Sequence, residues 1–297
     1  MLRRIALAAT LLVALTSCGT TDNAATVNGI AIRASDLEQT VTDFAAVGET
    51  QILNGVADGE TVRGLLTSLI RAEATNQVLA EAGEAVNDDD RESVKAQLEE
   101  QGAAGLPQTL YDLIVELNAA GAALSRVTAP DADQVAERYA SNPKSLGMLC
   151  LRHLVVEKES TARSAREELG AAPSDESFAK VAGKYSIEPN ATETGGALRG
   201  QTGECISINE YQAGFDPDFV RGALAARPGV PSAPVKSSFG WHVIYVRPFT
   251  AVSDSISKNL ADAAGEYLLL GALADADVTV ASRYGRWDPL AGGVVAP

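Results

Sequence analysis

The stretch "PVKSSFGWHVIYVRPF" (Pro234–Phe249) holds His242, one of only two histidines in the chain, inside an otherwise apolar run of Val243, Ile244, Tyr245 and Val246. A polar ring in such a strand needs a hydrogen-bonding partner or a chemical task, because an unpaired buried polar group is costly. The second histidine repeats the pattern, since "MLCLRHLVVE" (Met148–Glu157) plants His153 in another short β-like run. Two histidines in two buried strands are either coincidence or one site.

Outward from these strands the texture divides the chain. Before them lie helical patterns. "ATVNGIAI" (Ala25–Ile32) reads as strand with an Asn28-Gly29 turn, and the next helix takes Ser35 as N-cap with Glu38 closing a capping box. In "ETVRGLLTSLIRAEATNQVLAEAG" (Glu60–Gly83), Val62, Leu65, Leu66, Leu69 and Ile70 share one helical face, and Gly83 marks the stop. Helices follow over Asn87–Gly102, over Leu106–Val127 with Pro107 in the first turn, and over Asp131–Asn142. Between the histidine strands come two helices, the Gly-rich loop Asn190–Glu204, a short helix at Asp216–Ala225 and the turn-rich "RPGVPSAPV" (Arg227–Val235). The chain turns helical again at Ser255–Leu273 and ends on a strand, "DVTVAS" (Asp277–Ser282), and a short tail. A β-containing unit flanked by helices predicts an inserted domain. The outer pieces then share one core, and Ala25–Ile32 pairs with Asp277–Ser282.

The N-terminus places the protein. Arg3 and Arg4 precede an apolar run from Ile5 to Leu15, too short to span a bilayer and typical of a secretory leader. "LTSC" (Leu15–Cys18) resembles the bacterial lipobox, which implies cleavage before Cys18 and its lipidation; the alternative is an ordinary leader with an incidental cysteine. Net charge is −15, and losing Arg3 and Arg4 with the leader makes it −17. That argues against nucleic acid, which rewards clustered lysine and arginine, and disfavours lying flat on anionic lipid. Membrane attachment is therefore expected through the lipid. Cys150 and Cys205 remain, and an even pair in an oxidising compartment predicts a disulfide, with two buried thiols as the alternative.

Several ordered motifs resemble a parvulin-type peptidyl-prolyl cis/trans isomerase over residues 147–248. They are the "LRHLVV" strand, Tyr185-Ser186 before an acidic position, the Gly195-Gly196 turn, and "PGVPSAPVKSSFGWH" (Pro228–His242). The flanking layout is similar to SurA- and PrsA-type foldases. The fold implied is α+β: a parvulin-like domain, a small antiparallel sheet with surrounding helices, inserted into a mainly helical SurA-like chaperone domain. The expected divisions are a leader at 1–17, a lipidated tether at 18–25 and a chaperone domain over 26–145 and 250–290. The parvulin-like domain takes 146–249, and 291–297 is a tail.

The resemblance implies that His153 and His242 sit side by side beneath an active site. Ser237 would bond that pair, and Glu188 would stand where the family carries a cysteine or aspartate. Leu198, Phe215 and Phe219 would receive the substrate proline ring. Three places depart from the pattern: Glu188 is a methylene longer than aspartate, Ala197 replaces an acid after the double glycine, and Arg199–Gly214 is longer and less aromatic. "VEKESTA" (Val156–Ala162) lacks the basic cluster that binds phosphate. A metal site from His153, His242 and Cys150 suits the residue types but lacks close ligand spacing. The Phe215 and Phe219 pair also suits ordinary core.

The function implied is a membrane-anchored, extracytoplasmic prolyl isomerase and foldase that acts without a cofactor on unfolded secreted chains carrying X-Pro bonds. The alternative is a holdase chaperone whose parvulin unit only binds. A third option is a lipoprotein that scaffolds envelope assembly without touching unfolded clients.

Overall fold

A computed structural model describes residues 22–297 of the chain. The leader, the lipidation at Cys18 and the first part of the tether lie outside the described residues. No described helix is long and apolar enough to cross a membrane.

The first lobe opens with a hairpin, β1 (Asn23–Val27) and β2 (Ile30–Arg33), turned by Asn28 and Gly29, both at positive φ. Helix α1 (Ala34–Ala46) leaves β2 without a break. Its cap is Arg33 rather than the expected Ser35, and no side chain caps it. Instead the Ala34 N–H donates to the Asp22 carbonyl at 2.8 Å, so the neighbouring backbone satisfies the free amide. A small hairpin follows, β3 (Ile52–Leu53) and β4 (Val56–Ala57), which sequence patterning did not suggest. Then come α2 (Gly59–Glu81), α3 (Asp88–Glu100), α4 (Gln108–Leu124) and α5 (Ala132–Ser141). The α3 start is a full capping box between Asn87 and Asp90.

The second unit begins where the expected single strand breaks in two at Cys150: β5 (Met148–Leu149) and β6 (Leu151–Val156). Helices α6 (Glu159–Leu169), α7 (Asp175–Tyr185) and α8 (Ala191–Thr194) follow, then β7 (Ile206–Ser207), α9 (Ile208–Gly214), α10 (Pro217–Leu224), β8 (Val235–Ser237) and β9 (Gly240–Val246). The sheet runs β6-β9-β8, all antiparallel. Alternation gives it two faces. Leu154, Val156, Val243 and Tyr245 pack on α6 and α7, while His153 and His242 share the other face with Ile244 and Val246.

Helix α11 (Phe249–Asp275) returns to the first lobe, kinked at Ala263, and leads into β10 (Val278–Val280). β10 pairs antiparallel with β1, Ala25 opposite Val280, as the sequence predicts. The last residues do not trail off as a tail. β11 (Arg286–Asp288) pairs with β12 (Gly293–Val295), and Val294 joins the first-lobe core beside Leu66 and Ile70. The Val294 N–H donates to Thr67 Oγ1 at 2.9 Å, which anchors the hairpin on α2.

The two units are fused rather than loosely linked. One core runs through Val135, Tyr139 and Leu146, into Met148, Leu151 and Ile244, and on to Ile256 and Leu260 of α11. The Tyr139 hydroxyl donates to the Arg247 carbonyl at 2.7 Å inside it. Helix α11 seats against backbone at Gly271, where a Cβ would lie 2.1 Å from the Ser145 carbonyl oxygen.

Candidate active site

His153 and His242 come together by strand register. His153 stands opposite Ile244 and His242 opposite Val155, so the two rings are diagonal neighbours on one sheet face. Their Nδ1 atoms lie 3.2 Å apart, and both residues are buried. The outer ring nitrogens have their own partners: His242 Nε2 is 2.7 Å from Ser237 Oγ, and His153 Nε2 is 3.2 Å from Glu188 Oε2. The Phe239 N–H donates to Ser237 Oγ at 3.0 Å.

With both rings neutral, one set of hydrogens satisfies every contact. The carboxylate can only accept, so His153 carries its proton on Nε2 and presents a bare Nδ1. His242 then donates from Nδ1 and accepts at Nε2 from the Ser237 hydroxyl. The result is a one-way relay from the Phe239 amide to the Glu188 carboxylate. Burial, and then the neighbouring His153 ring, push His242 down to about 4, which keeps it neutral. The hydrogen bond from His153 holds the Glu188 carboxyl below its ordinary range despite partial burial.

Above the relay lies a cavity of about 400 Å³. Leu198, Phe215 and Phe219 line it, together with both histidines and Glu188. Phe219 meets each imidazole edge-on, with centroids 5.3 Å from His153 and 5.1 Å from His242, and Phe215 stacks behind it at 5.7 Å. An apolar wall of this size fits a pyrrolidine ring.

Local sequence explains the placement. Asp216 caps α10 and accepts from the Asp218 and Phe219 amides, with Pro217 in the first helical turn, so Phe219 is aimed from a fixed helix start. The same carboxylate accepts from the Ser238 N–H at 3.0 Å and the Ser238 hydroxyl at 2.6 Å, which ties α10 to the β8–β9 turn. These Ser238 bonds above all hold the Asp216 carboxyl down at about 2. At Gly196, φ is +71° and a Cβ would meet the His153 carbonyl oxygen at 2.0 Å, so glycine lets the turn close on β6. The His153 N–H donates to the Gly196 carbonyl at 2.8 Å.

Cys150 and Cys205 are joined by a disulfide, with Cα atoms 4.1 Å apart. It ties β6 to the long Arg199–Gly214 segment, which forms β7 and α9 and leads into Phe215. With its sulfur bonded to Cys205, Cys150 is not available to the alternative metal set.

Sequence reasoning missed six wall residues, among them Ile187, Asp216 and Phe239. Only Asp216 left a signal, because Asp-Pro at a helix start is a capping pattern. It also missed a half-buried ion cluster on the sheet face opposite the histidines. Asp175 accepts from Arg152 at 2.8 and 2.9 Å and from Arg247 at 2.9 and 3.1 Å, while Arg247 also reaches Glu204 at 2.6 Å. Burial alone would raise the Asp175 carboxyl, but the two guanidiniums hold it below its ordinary value.

Residues 155–248 match the family model of the PPIC-type PPIase domain. A foldase protein PrsA of Clostridium kluyveri is 34% identical over 131 residues, covering 41% of this chain and 35% of that relative. A foldase protein PrsA of Clostridium botulinum is 31% identical over 168 residues, covering 52% and 46%. The chain thus aligns with less than half the length of these curated relatives. Among solved structures it is similar to PrsA of Bacillus subtilis, at 17% identity and a TM-score of 0.29, covering 87% of this chain and 94% of that one. PrsA of Bacillus anthracis, at 21% and 0.28, covers 70% and 95%. The strands, the glycine turn and the histidine pair described above fall in or beside the matched segment, and over residues 155–248 the chain therefore carries a parvulin-type peptidyl-prolyl isomerase domain.

Proposed function

We propose that this protein is an extracytoplasmic prolyl cis/trans isomerase and foldase acting on secreted chains, anchored to the membrane through a lipid on Cys18. The observation that carries the reading is an apolar cavity set directly on the Glu188–His153–His242–Ser237 relay. Rotation about an X-Pro bond faces a barrier of roughly 18–20 kcal/mol because twisting breaks amide resonance. No bond need be cleaved, so the site needs only to bind proline and favour the twisted amide. Leu198, Phe215 and Phe219 would grip the ring. The planar amide carries more negative charge on its carbonyl oxygen than the twisted one. A carboxylate facing that oxygen disfavours the planar form and narrows the gap. The neutral histidines fix Glu188 in place, and none of these residues need act as a nucleophile. The lipobox and the disulfide both suit a compartment outside the cytoplasm.

The test is exchange of short X-Pro peptides, followed by NMR, with the chain from Gly19 onward. The wild type is expected to accelerate exchange well above the spontaneous rate, and a folded His242→Ala variant to lose most of that gain. No acceleration over several X-Pro peptides would overturn the isomerase reading and leave a binding module.

A second reading has its own support. The β3–β4 hairpin exposes Leu53 and Val56, at 67% and 69%, beside a groove of about 720 Å³ lined by Leu37, Val41 and Val62. An unpartnered apolar patch of this kind suits holding unfolded segments.

A further inference from the structure

We propose that the site selects substrates with lysine or arginine immediately before the proline and rejects acidic or phosphorylated residues there. This rests on the isomerase reading. The cavity wall carries two carboxylates, Glu188 and Asp216, and no lysine or arginine among the described lining residues. Neither acid has a permanent cation as a partner. Glu188 accepts from the His153 imidazole, and Asp216 accepts only from the hydroxyl and backbone amides of Ser238 and the first turn of α10.

The cations nearest in sequence are directed elsewhere by the pleat. Lys236 is on the opposite face of β8 from Ser237, with its ammonium over the Trp241 ring at 5.7 Å. Arg152, next to His153, points to the other sheet face and is held by Asp175. Arg199, next to Leu198, reaches Glu204, and Arg221 pairs with Asp218. The mouth therefore holds two carboxylates with no lysine or arginine facing them among the described lining residues.

The substrate geometry picks the position. With the proline ring on the Leu198–Phe219 wall, the X carbonyl faces Glu188, and the X side chain branches from the carbon bonded to that carbonyl. It must leave through the open rim, where Ile187 and Phe239 are 53% and 71% exposed. A lysine or arginine fits this rim twice over, with its methylene stem on Ile187 and Phe239 and its charge toward the carboxylates. A glutamate or phosphoserine brings like charge to the same place.

The experiment compares Ala-X-Pro-Phe peptides with X as lysine, leucine, glutamate or phosphoserine, measuring exchange rate and binding by NMR titration. At low salt, kcat/KM for lysine should exceed that for glutamate by about tenfold or more, an electrostatic gap of about 1.4 kcal/mol. The ratio should shrink toward unity at ~1 M salt, where the screening length falls to about 3 Å. Ile187→Lys, at the exposed rim, should reverse the lysine-over-glutamate order, as expected where charge at the rim sets the preference. Equal rates for lysine and glutamate at low salt, with leucine turned over, would overturn the selectivity and keep the isomerase. No exchange with any peptide, but tighter binding of the lysine peptide, would keep the selectivity and remove the isomerase reading. Equal binding without exchange would remove both.

Discussion

His242 sits where burial and a second imidazole both oppose a positive charge. Its folded value of about 4 lies below the ordinary 6.5, so as pH falls the unfolded chain takes up the proton first. Stability contributed by the neutral ring is therefore lost between pH 6.5 and about 4, at most about 3 kcal/mol. Glu188, also held low, adds loss in the same direction once pH drops below 4.5. Thermal melts should show Tm falling steadily from pH 6.5 to 4, and His242→Gln, which cannot titrate, should flatten that slope. A wild-type Tm that holds level across this range would contradict the neutral relay. The apolar strands left His153 and His242 as coincidence or one site, and only the resemblance to parvulins implied that they pair. Their relay direction was not legible, since it depends on which nitrogen faces which neighbour.

Among the elements, the Arg199–Gly214 segment is the least regular part of the pocket wall, and the disulfide secures it. The bridge closes 55 residues, and the chain-entropy account assigns such a loop about 4 kcal/mol. Cys205 also anchors α11, because the Asn259 side-chain amide donates to its carbonyl at 3.2 Å. Reduction should lower the unfolding free energy by about 2–4 kcal/mol, read by denaturant melts with and without a reductant. An unchanged midpoint would mean the segment is held by packing alone. Sequence patterning found the helices and histidine strands here, where periodicity spans enough residues to register. It missed β7, α9 and the β3–β4 hairpin, because two-residue strands and a seven-residue helix carry no readable period.

At the scale of the molecule, the apolar cavity and the apolar hairpin lie in different units, which divides the proposed activities. Leu53→Glu with Val56→Glu touches only exposed side chains, so folding should survive. The variant should lose most suppression of aggregation of an unfolded client, while X-Pro exchange stays within about twofold, since changes at exposed sites are usually small. Loss of both activities together would show that one surface serves both.

The sequence by itself determined the α+β class and the strand pairing of the two chain ends, and it named the residues proposed to hold proline. These follow from local patterning and from motifs whose order along the chain is itself informative. Only the tertiary structure decided that the two units share a core through Tyr139 and α11, that the final hairpin packs on α2, and that two carboxylates line the mouth of the cavity with no lysine or arginine among the described lining residues. Those properties depend on which way a side chain points from its strand and on what lies opposite it. Both are fixed by register and packing between segments far apart in the chain, and neither is written in any one of them.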